Sequence, residues 1–375
     1  MKKFSAVILA AGSSKRMKSC FPKAIHTVSG KPLIKWIIDS VSLLKPDNLV
    51  VVLGWNSGYV EKILSYNNSI KIVYQKEQLG SGHALLQAIG ILKNYKNDIL
   101  VLGTDIPLIK SSTLLSLIKN NKKTGSSATV LIAQIDNPHG YGRVFVNDDG
   151  YLEKIVEENN ATLIDKQIKI INSGIYCFNE SLLWDILSKL KPNNINNEYY
   201  ITDTIAIFNS LGKKVSSITV KDSYEVKGIN TRLELFEVEN LLKQKKIEEL
   251  LNDGVTIIDI NNVYISYDAK VGKDSIIYPN VFIDIGVSIG KNCTIMFGSY
   301  IKNSVIGDMA TVLYSYIDGA IINENVRIGP FSHIRSNSVL KKNVVIGNFS
   351  EIKKSMVSEN SKISHLSYIG DAEIG

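Results

Sequence analysis

The chain has 375 residues, more than one ordinary domain holds, so two are expected. Hydrophobic residues at 45% and charged residues at 21% fit a soluble globular protein with a substantial core and exclude a disordered chain. The formal charge of +7 admits anionic partners, but no Lys/Arg block carries interleaved aromatics, so phosphorylated small molecules are expected rather than nucleic acid.

Lys2-Lys3 ahead of "FSAVILAAG" resembles a short signal peptide. The apolar run leads straight into Ser-Ser-Lys-Arg, however, and reads better as a buried first strand. No later segment approaches the roughly 18 to 20 apolar residues of a membrane span. Cys20, Cys177 and Cys293 are too scattered for a disulfide framework or a CxxC metal site, which favours a reducing, cytoplasmic setting.

Up to about residue 225, β-branched runs alternate with amphipathic stretches. Strands are predicted at "FSAVILAA", "NLVVVLG", "IKIVYQ", "DILVLGTD", "SATVLIAQI" and "KIINSGIYCF", and helices at "PLIKWIIDSVSLL", "HALLQAIGIL" and "STLLSLIKNN". This alternation predicts an α/β fold, a doubly wound, mostly parallel (Rossmann-like) sheet. Residues 228–252 are predicted as one helical linker rich in i,i+4 charge pairs. The expected domains are 1–227, the linker, and 253–375.

After residue 253, Ile/Val-Gly pairs recur at 271–272, 289–290, 306–307, 328–329, 346–347, 369–370 and 374–375. Spacings of 17 and 18 residues match one turn of a triangular, left-handed parallel β-helix of hexapeptide repeats, with Gly at the tight corners. Spacings of 22 and 23 read as insertions or irregular corners. An all-β sandwich with Gly turns is the competing fold. The chain stops in mid-repeat on "YIGDAEIG" without a cap, so a C-terminally incomplete solenoid is expected.

The strand-to-glycine turn at Ala11-Gly12 is a phosphate-site geometry, and Arg16, Lys18 and Lys23 supply charge. The full run "LAAGSSKRMKSCFPKAIHTVSGKPL" resembles the sugar-1-phosphate nucleotidyltransferase signature. With "QKEQLGSGHAL", "DILVLGTDIPLI", "PHGYGRV", "IVEENNAT", "INSGIY", "NEYYITD", "GINTR" and "SHLSYIGDAEIG", the whole chain resembles the bifunctional bacterial N-acetylglucosamine-1-phosphate uridyltransferase / glucosamine-1-phosphate N-acetyltransferase family.

That resemblance implies uridylyl transfer from UTP to N-acetylglucosamine 1-phosphate, giving UDP-N-acetylglucosamine and pyrophosphate. Leu9, Ala10, Ala11 and Gly12 would hold the nucleotide, Lys23 the transferring phosphate, and Arg16 the leaving phosphates. Asp105 and Asn230 would bind Mg²⁺, and Gly103, Thr104, Asp105 and Asn230 would also contact the substrate. Gln75, Gly80 and Ser81 match base-reading positions; Gly142, Glu157 and Asn172 match sugar-binding positions. Tyr199 and Thr202 would shape the sugar pocket, and His26 and His83 carry no assigned chemistry. Ser14-Lys15 replaces the usual Gly-Thr, and Gly103-Thr104-Asp105 replaces the common Tyr-Gly-Asp. The second change is expected to alter nucleoside contacts beside the metal.

In the repeat region, the resemblance assigns His365 as general base for acetyl transfer from acetyl-CoA to glucosamine 1-phosphate. Arg335 and Lys353 would clamp the sugar phosphate and Tyr368 would touch the sugar. The incomplete solenoid is expected to impair this reaction. A homotrimer is expected. The alternatives are another sugar-1-phosphate nucleotidyltransferase or a non-catalytic regulatory paralogue.

Overall fold

The computed structural model describes residues 3–12, 14–192 and 197–375. They form two compact units. One comprises residues 1–27 and 32–235, the other residues 28–31 and 236–375.

The first unit is built on a nine-stranded sheet. Its strands include β1 (Phe4–Ala10), β2 (Asn48–Leu53), β3 (Ile70–Tyr74), β4 (Asp98–Gly103) and β5 (Ala128–Gln134). A hairpin of β6 (Arg143–Val146) and β7 (Leu152–Val156) leads to β8 (Ile170–Phe178), and β9 is Val215–Thr219. The main path runs β9-β5-β8-β4-β1-β2-β3. Strands β4, β1, β2 and β3 are mutually parallel, whereas β8 runs antiparallel to both neighbours. A hairpin returns the chain to β8, so no crossover helix is needed there. The continuous apolar runs of β1, β2 and β4 follow from burial on both faces.

Two predicted helices differ in detail. "HALLQAIGIL" is not one helix but two short ones, Ser81–Leu86 and Ile89–Leu92, broken by a turn at 87–88. The Gln87 side chain donates to the His83 carbonyl, while the Gln87 and Ala88 amides reach back three residues instead of four. The linker helix begins at Arg232 rather than 228. Thr231 and Glu234 form a reciprocal capping box: Glu234 N donates to Thr231 Oγ1 (3.2 Å), and Thr231 N donates to Glu234 Oε2 (2.7 Å).

The second unit is a parallel β-helix of the left-handed hexapeptide kind. Three seven-stranded parallel sheets form its faces. On one face Val271, Ile289, Ile306, Ile322, Leu340, Val357 and Ile374 follow one another coil by coil, 16 to 18 residues apart. The predicted insertions are therefore absent. The Ile-Gly pairs at 328–329 and 346–347 lie on a different face, and changing face created the apparent gaps. Inward aliphatic residues such as Ile283, Ile301, Ile317 and Ile334 stack into a fully buried core.

The glycines also play a different part from the one expected. Left-handed corners are shared among Asn such as Asn280, Asn292, Asn303 and Asn343, other side chains such as Phe331, and a few glycines, among them Gly329 of the predicted pairs. Gly272 needs its missing Cβ because the next coil passes too close: a Cβ there would sit 2.6 Å from the Gly290 backbone. Gly272→Ala should therefore lose about 1–3 kcal/mol in a urea titration. Asn280→Gly keeps the corner conformation and should change stability by no more than about 0.5 kcal/mol.

Candidate functional site

Strands β1 and β4 are neighbours in parallel register, with Leu9 opposite Gly103, so the turns after them emerge at one edge of the sheet. At that edge Lys23 Nζ lies 3.0 Å from Asp105 Oδ2 and 2.9 Å from Asn230 Oδ1. Arg16 Nη2 donates to the same Asn230 oxygen at 2.8 Å. Four residues from three distant segments thus share one cluster.

Each is held by its local chain. Buried Met17 anchors the loop that carries exposed Arg16. Lys23 opens a short 3-10 turn after Pro22, with His26 N closing onto its carbonyl. Asp105 lies two residues beyond β4, and its carbonyl accepts from the amide of buried Ile229 at 2.8 Å. Gly228 N donates to the Tyr141 hydroxyl, and Asn230 N donates to Glu234. The capping box therefore also sets the position of Asn230.

Burial alone would raise the Asp105 carboxyl, but the ammonium of Lys23, a backbone hydrogen bond and Arg16 outweigh it and hold the group below its ordinary range. The carboxylate and the amide oxygen both face one cation, the lysine ammonium. Hard oxygen donors of this kind suit a divalent ion that keeps water or phosphate in its remaining positions. Among the described residues no three His, Cys, Asp or Glu side chains form a ready-made metal cage. The donor set fits an ion that arrives with its phosphate ligand.

The departure at Gly103 has a structural consequence. A Cβ on Gly103 would lie 2.5 Å from Asp105 Oδ1, so the glycine makes room for the carboxylate, while Thr104 is buried. Ser14 is buried and Lys15 is exposed.

Gln75 follows β3 at the same sheet edge, its amide N–H bonded to Leu53 O. Its side-chain amide donates to the Gly80 carbonyl at 3.0 Å. Gly80, at φ +102°, is pressed against the Tyr199 backbone, and Ser81 Oγ accepts from Ile201 N. Gly82 N donates to Tyr199 O and Tyr199 N to Leu79 O, clamping the two loops together. Gln78 donates to Ala11 O at 2.9 Å and joins this loop to the turn after β1. Sequence reasoning missed Gln78, because nothing local distinguishes it from a solvated glutamine.

Gly142, Glu157 and Asn172 also meet. Asn172 N donates to Gly142 O, and a Cβ on Gly142 would lie 3.4 Å from Glu157 Oε2 and 3.6 Å from Asn172 Cβ. Thr202 Oγ1 donates to Glu157 Oε1 at 2.9 Å, which places Thr202 at this cluster. Tyr176 was missed: its hydroxyl accepts from Asn172 Nδ2 at 2.7 Å, across a register irregularity between the two residues in β8 that sequence does not announce. Burial, with Asp203 nearby, raises the Glu157 carboxyl against the lowering effect of the Thr202 hydrogen bond. His26 contacts Arg232 through Nδ1, and burial followed by that guanidinium lowers its pKa.

In the second unit, strand register puts His333 opposite Glu351 and Glu351 opposite Tyr368 on successive coils. Arg335 and Lys353 follow on the first two of these coils, but each has an acidic partner. Arg335 pairs with Glu351 at 2.7 Å, and Lys353 with Asp371 at 3.9 Å. His365 is exposed, and no hydrogen bond or ion pair among the described residues joins it to either cation.

Among the described residues no helix is long and apolar enough to cross a membrane. The Nucleotidyl transferase family matches residues 5–226, and the GMPPB C-terminal domain matches residues 259–368. The chain is 45% identical to the Bifunctional protein GlmU of Caldicellulosiruptor saccharolyticus and 42% identical to that of Acetivibrio thermocellus. Both alignments cover all of this chain and 81% of the relative. The crystal structure of a UDP-glucose pyrophosphorylase complexed with UDP-glucose matches with a TM-score of 0.53 and 20% identity, covering 65% of this chain and 100% of that one. That likeness concerns the fold alone.

Replacing Thr202 with Val removes the one hydrogen bond that lowers the Glu157 carboxyl. Its titration, followed by ¹³C NMR of the labelled carboxylate, should move to still higher pH.

Proposed function

The chain belongs to the family of bifunctional GlmU proteins, and from that membership and its phosphate-site cluster we propose the chemistry of each half. The first half, residues 1–227, transfers uridylyl from UTP to N-acetylglucosamine 1-phosphate, releasing pyrophosphate. The product, UDP-N-acetylglucosamine, is a precursor for cell-wall and lipopolysaccharide synthesis. The second half, residues 253–375 after the linker 228–252, serves acetyl transfer to glucosamine 1-phosphate from acetyl-CoA.

The observation that carries the first assignment is the convergence of Lys23, Asp105, Asn230 and Arg16. Phosphoryl transfer of this kind needs positioning and charge neutralisation more than covalent chemistry from the protein. Lys23 steadies charge on the α-phosphate, and Arg16 grips the β and γ phosphates as they leave. Asp105 and Asn230 would hold Mg²⁺, which when bound supplies Lewis-acid stabilisation and a template for the phosphate oxygens. The backbone from Leu9 to Gly12 lies along the nucleotide. Gln75, Gly80 and Ser81 read the base. Gly142, Glu157 and Asn172 take the sugar, whose hydroxyls need buried polar partners.

In the second half His365 is the general base toward the glucosamine amine. Arg335 and Lys353 exchange their acidic partners for the sugar phosphate, and Tyr368 borders the sugar. We place the enzyme in the cytoplasm as a homotrimer.

Pyrophosphate release measured across nucleotides and sugar phosphates should single out UTP with N-acetylglucosamine 1-phosphate. Asp105→Ala should lower that rate at least about a hundredfold while circular dichroism shows the variant still folded at the assay temperature. Preference for another pair, or Mg²⁺-dependent turnover unchanged in the variant, would overturn the assignment.

A further inference from the structure

The side-chain amide of Gln75 is engaged through its nitrogen. Nε2 donates to the Gly80 carbonyl at 3.0 Å and lies 3.0 Å from Nδ1 of His83. A backbone carbonyl only accepts, so Gly80 favours the amide nitrogen on its side but takes only one of its two hydrogens. Its second hydrogen then meets a lone pair at His83 Nδ1. Oε1 makes no hydrogen bond to any described residue, and it is the amide's remaining polar atom.

On the other side of the ring, the Gln87 amide nitrogen lies 3.2 Å from His83 Nε2 and 3.0 Å from the His83 carbonyl. A neutral imidazole accepts at one nitrogen only, so one of the two amides has to yield. Gln75 is 4% exposed and pinned by Gly80. Gln87 is half-buried, with water as an alternative partner, and is the one that swings off the ring nitrogen while keeping its bond to the His83 carbonyl.

We propose that His83 is a positioning residue: it locks the Gln75 amide so that the base site meets an acceptor alone, and this lock selects a base with N–H at position 3. The proposal rests on the assignment of Gln75 to the uracil end of the nucleotide. The pairing edge of uracil carries one donor, N3–H, between two carbonyls, so an acceptor has a single partner there. Cytosine has a lone pair at N3 and would face Oε1 with like charge. An amide free to turn would offer cytosine its NH₂ instead, and the preference would fade.

The test uses the full chain and compares pyrophosphate release from UTP and from CTP in the parent, His83→Leu, His83→Asn and Gln75→Ala. Leucine fills the space without an acceptor, whereas asparagine carries an oxygen near the place of Nδ1. His83→Leu should raise KM for UTP about tenfold, lower the UTP-over-CTP ratio of kcat/KM about tenfold, and leave KM for N-acetylglucosamine 1-phosphate unchanged. His83→Asn should recover most of the ratio. If Gln75→Ala loses the ratio while His83→Leu keeps it, the lock is wrong and the base assignment stands. A lower kcat in His83→Leu at an unchanged ratio marks a purely structural histidine and also overturns the proposal. If Gln75→Ala itself keeps the ratio, the base assignment fails and the lock falls with it.

Discussion

The first unit is organised around a charge problem. Asp105 is a carboxylate at the end of a buried strand, and burial opposes its ionisation. Lys23 and Arg16 solve that problem locally, but they come from a loop some eighty residues earlier, and their shared acceptor Asn230 comes from far downstream. The strand order makes the meeting possible. Parallel β1 and β4 open their turns at one edge, and Ile229 N on Asp105 O brings the third segment to them. Without the charge compensation, burial would push the carboxyl upward and weaken its hold on a cation.

The carboxyls of the first unit respond to pH in opposite senses. Asp105 is depressed, so its contribution to stability is present above the ordinary carboxyl range and is lost as pH falls through its lowered value. Glu157 is raised by burial, so its protonated form favours the folded state, and that contribution is lost as pH rises through its elevated value. One group is ready to meet a cation. The other accepts from the Thr202 hydroxyl and lies in a buried, polar setting suited to hydroxyl and amide ligands.

Much of this was legible in the sequence, because apolar runs, glycine turns and hexad periodicity are local signals. The strands around "FSAVILAA", "NLVVVLG" and "DILVLGTD" are where alternation predicts them, and the repeat region is a β-helix. What escaped depends on three-dimensional neighbours. The unequal Ile-Gly spacings looked like insertions because sequence does not say which face a pair occupies. The change to Gly103-Thr104-Asp105 read only as altered nucleoside contacts, because sequence does not show that the missing side chain of Gly103 leaves the space beside the Asp105 carboxylate. Gln78 and Tyr176 join the clusters through partners that no motif names. The T-x-x-E pattern at Thr231 was readable as a cap, but the long helical pattern hid it.

The central claim is that the oxygens now facing the lysine ammonium are those that receive a divalent ion with the nucleotide. Crystals grown with Mn²⁺ and a non-hydrolysable UTP analogue, measured for anomalous scattering, test this most directly. The account predicts a single strong peak within coordination distance of Asp105 Oδ2 and Asn230 Oδ1, with Lys23 Nζ moved from them onto phosphate oxygen. A nucleotide-bound manganese peak elsewhere, with the Lys23–Asp105 pair intact, would contradict it.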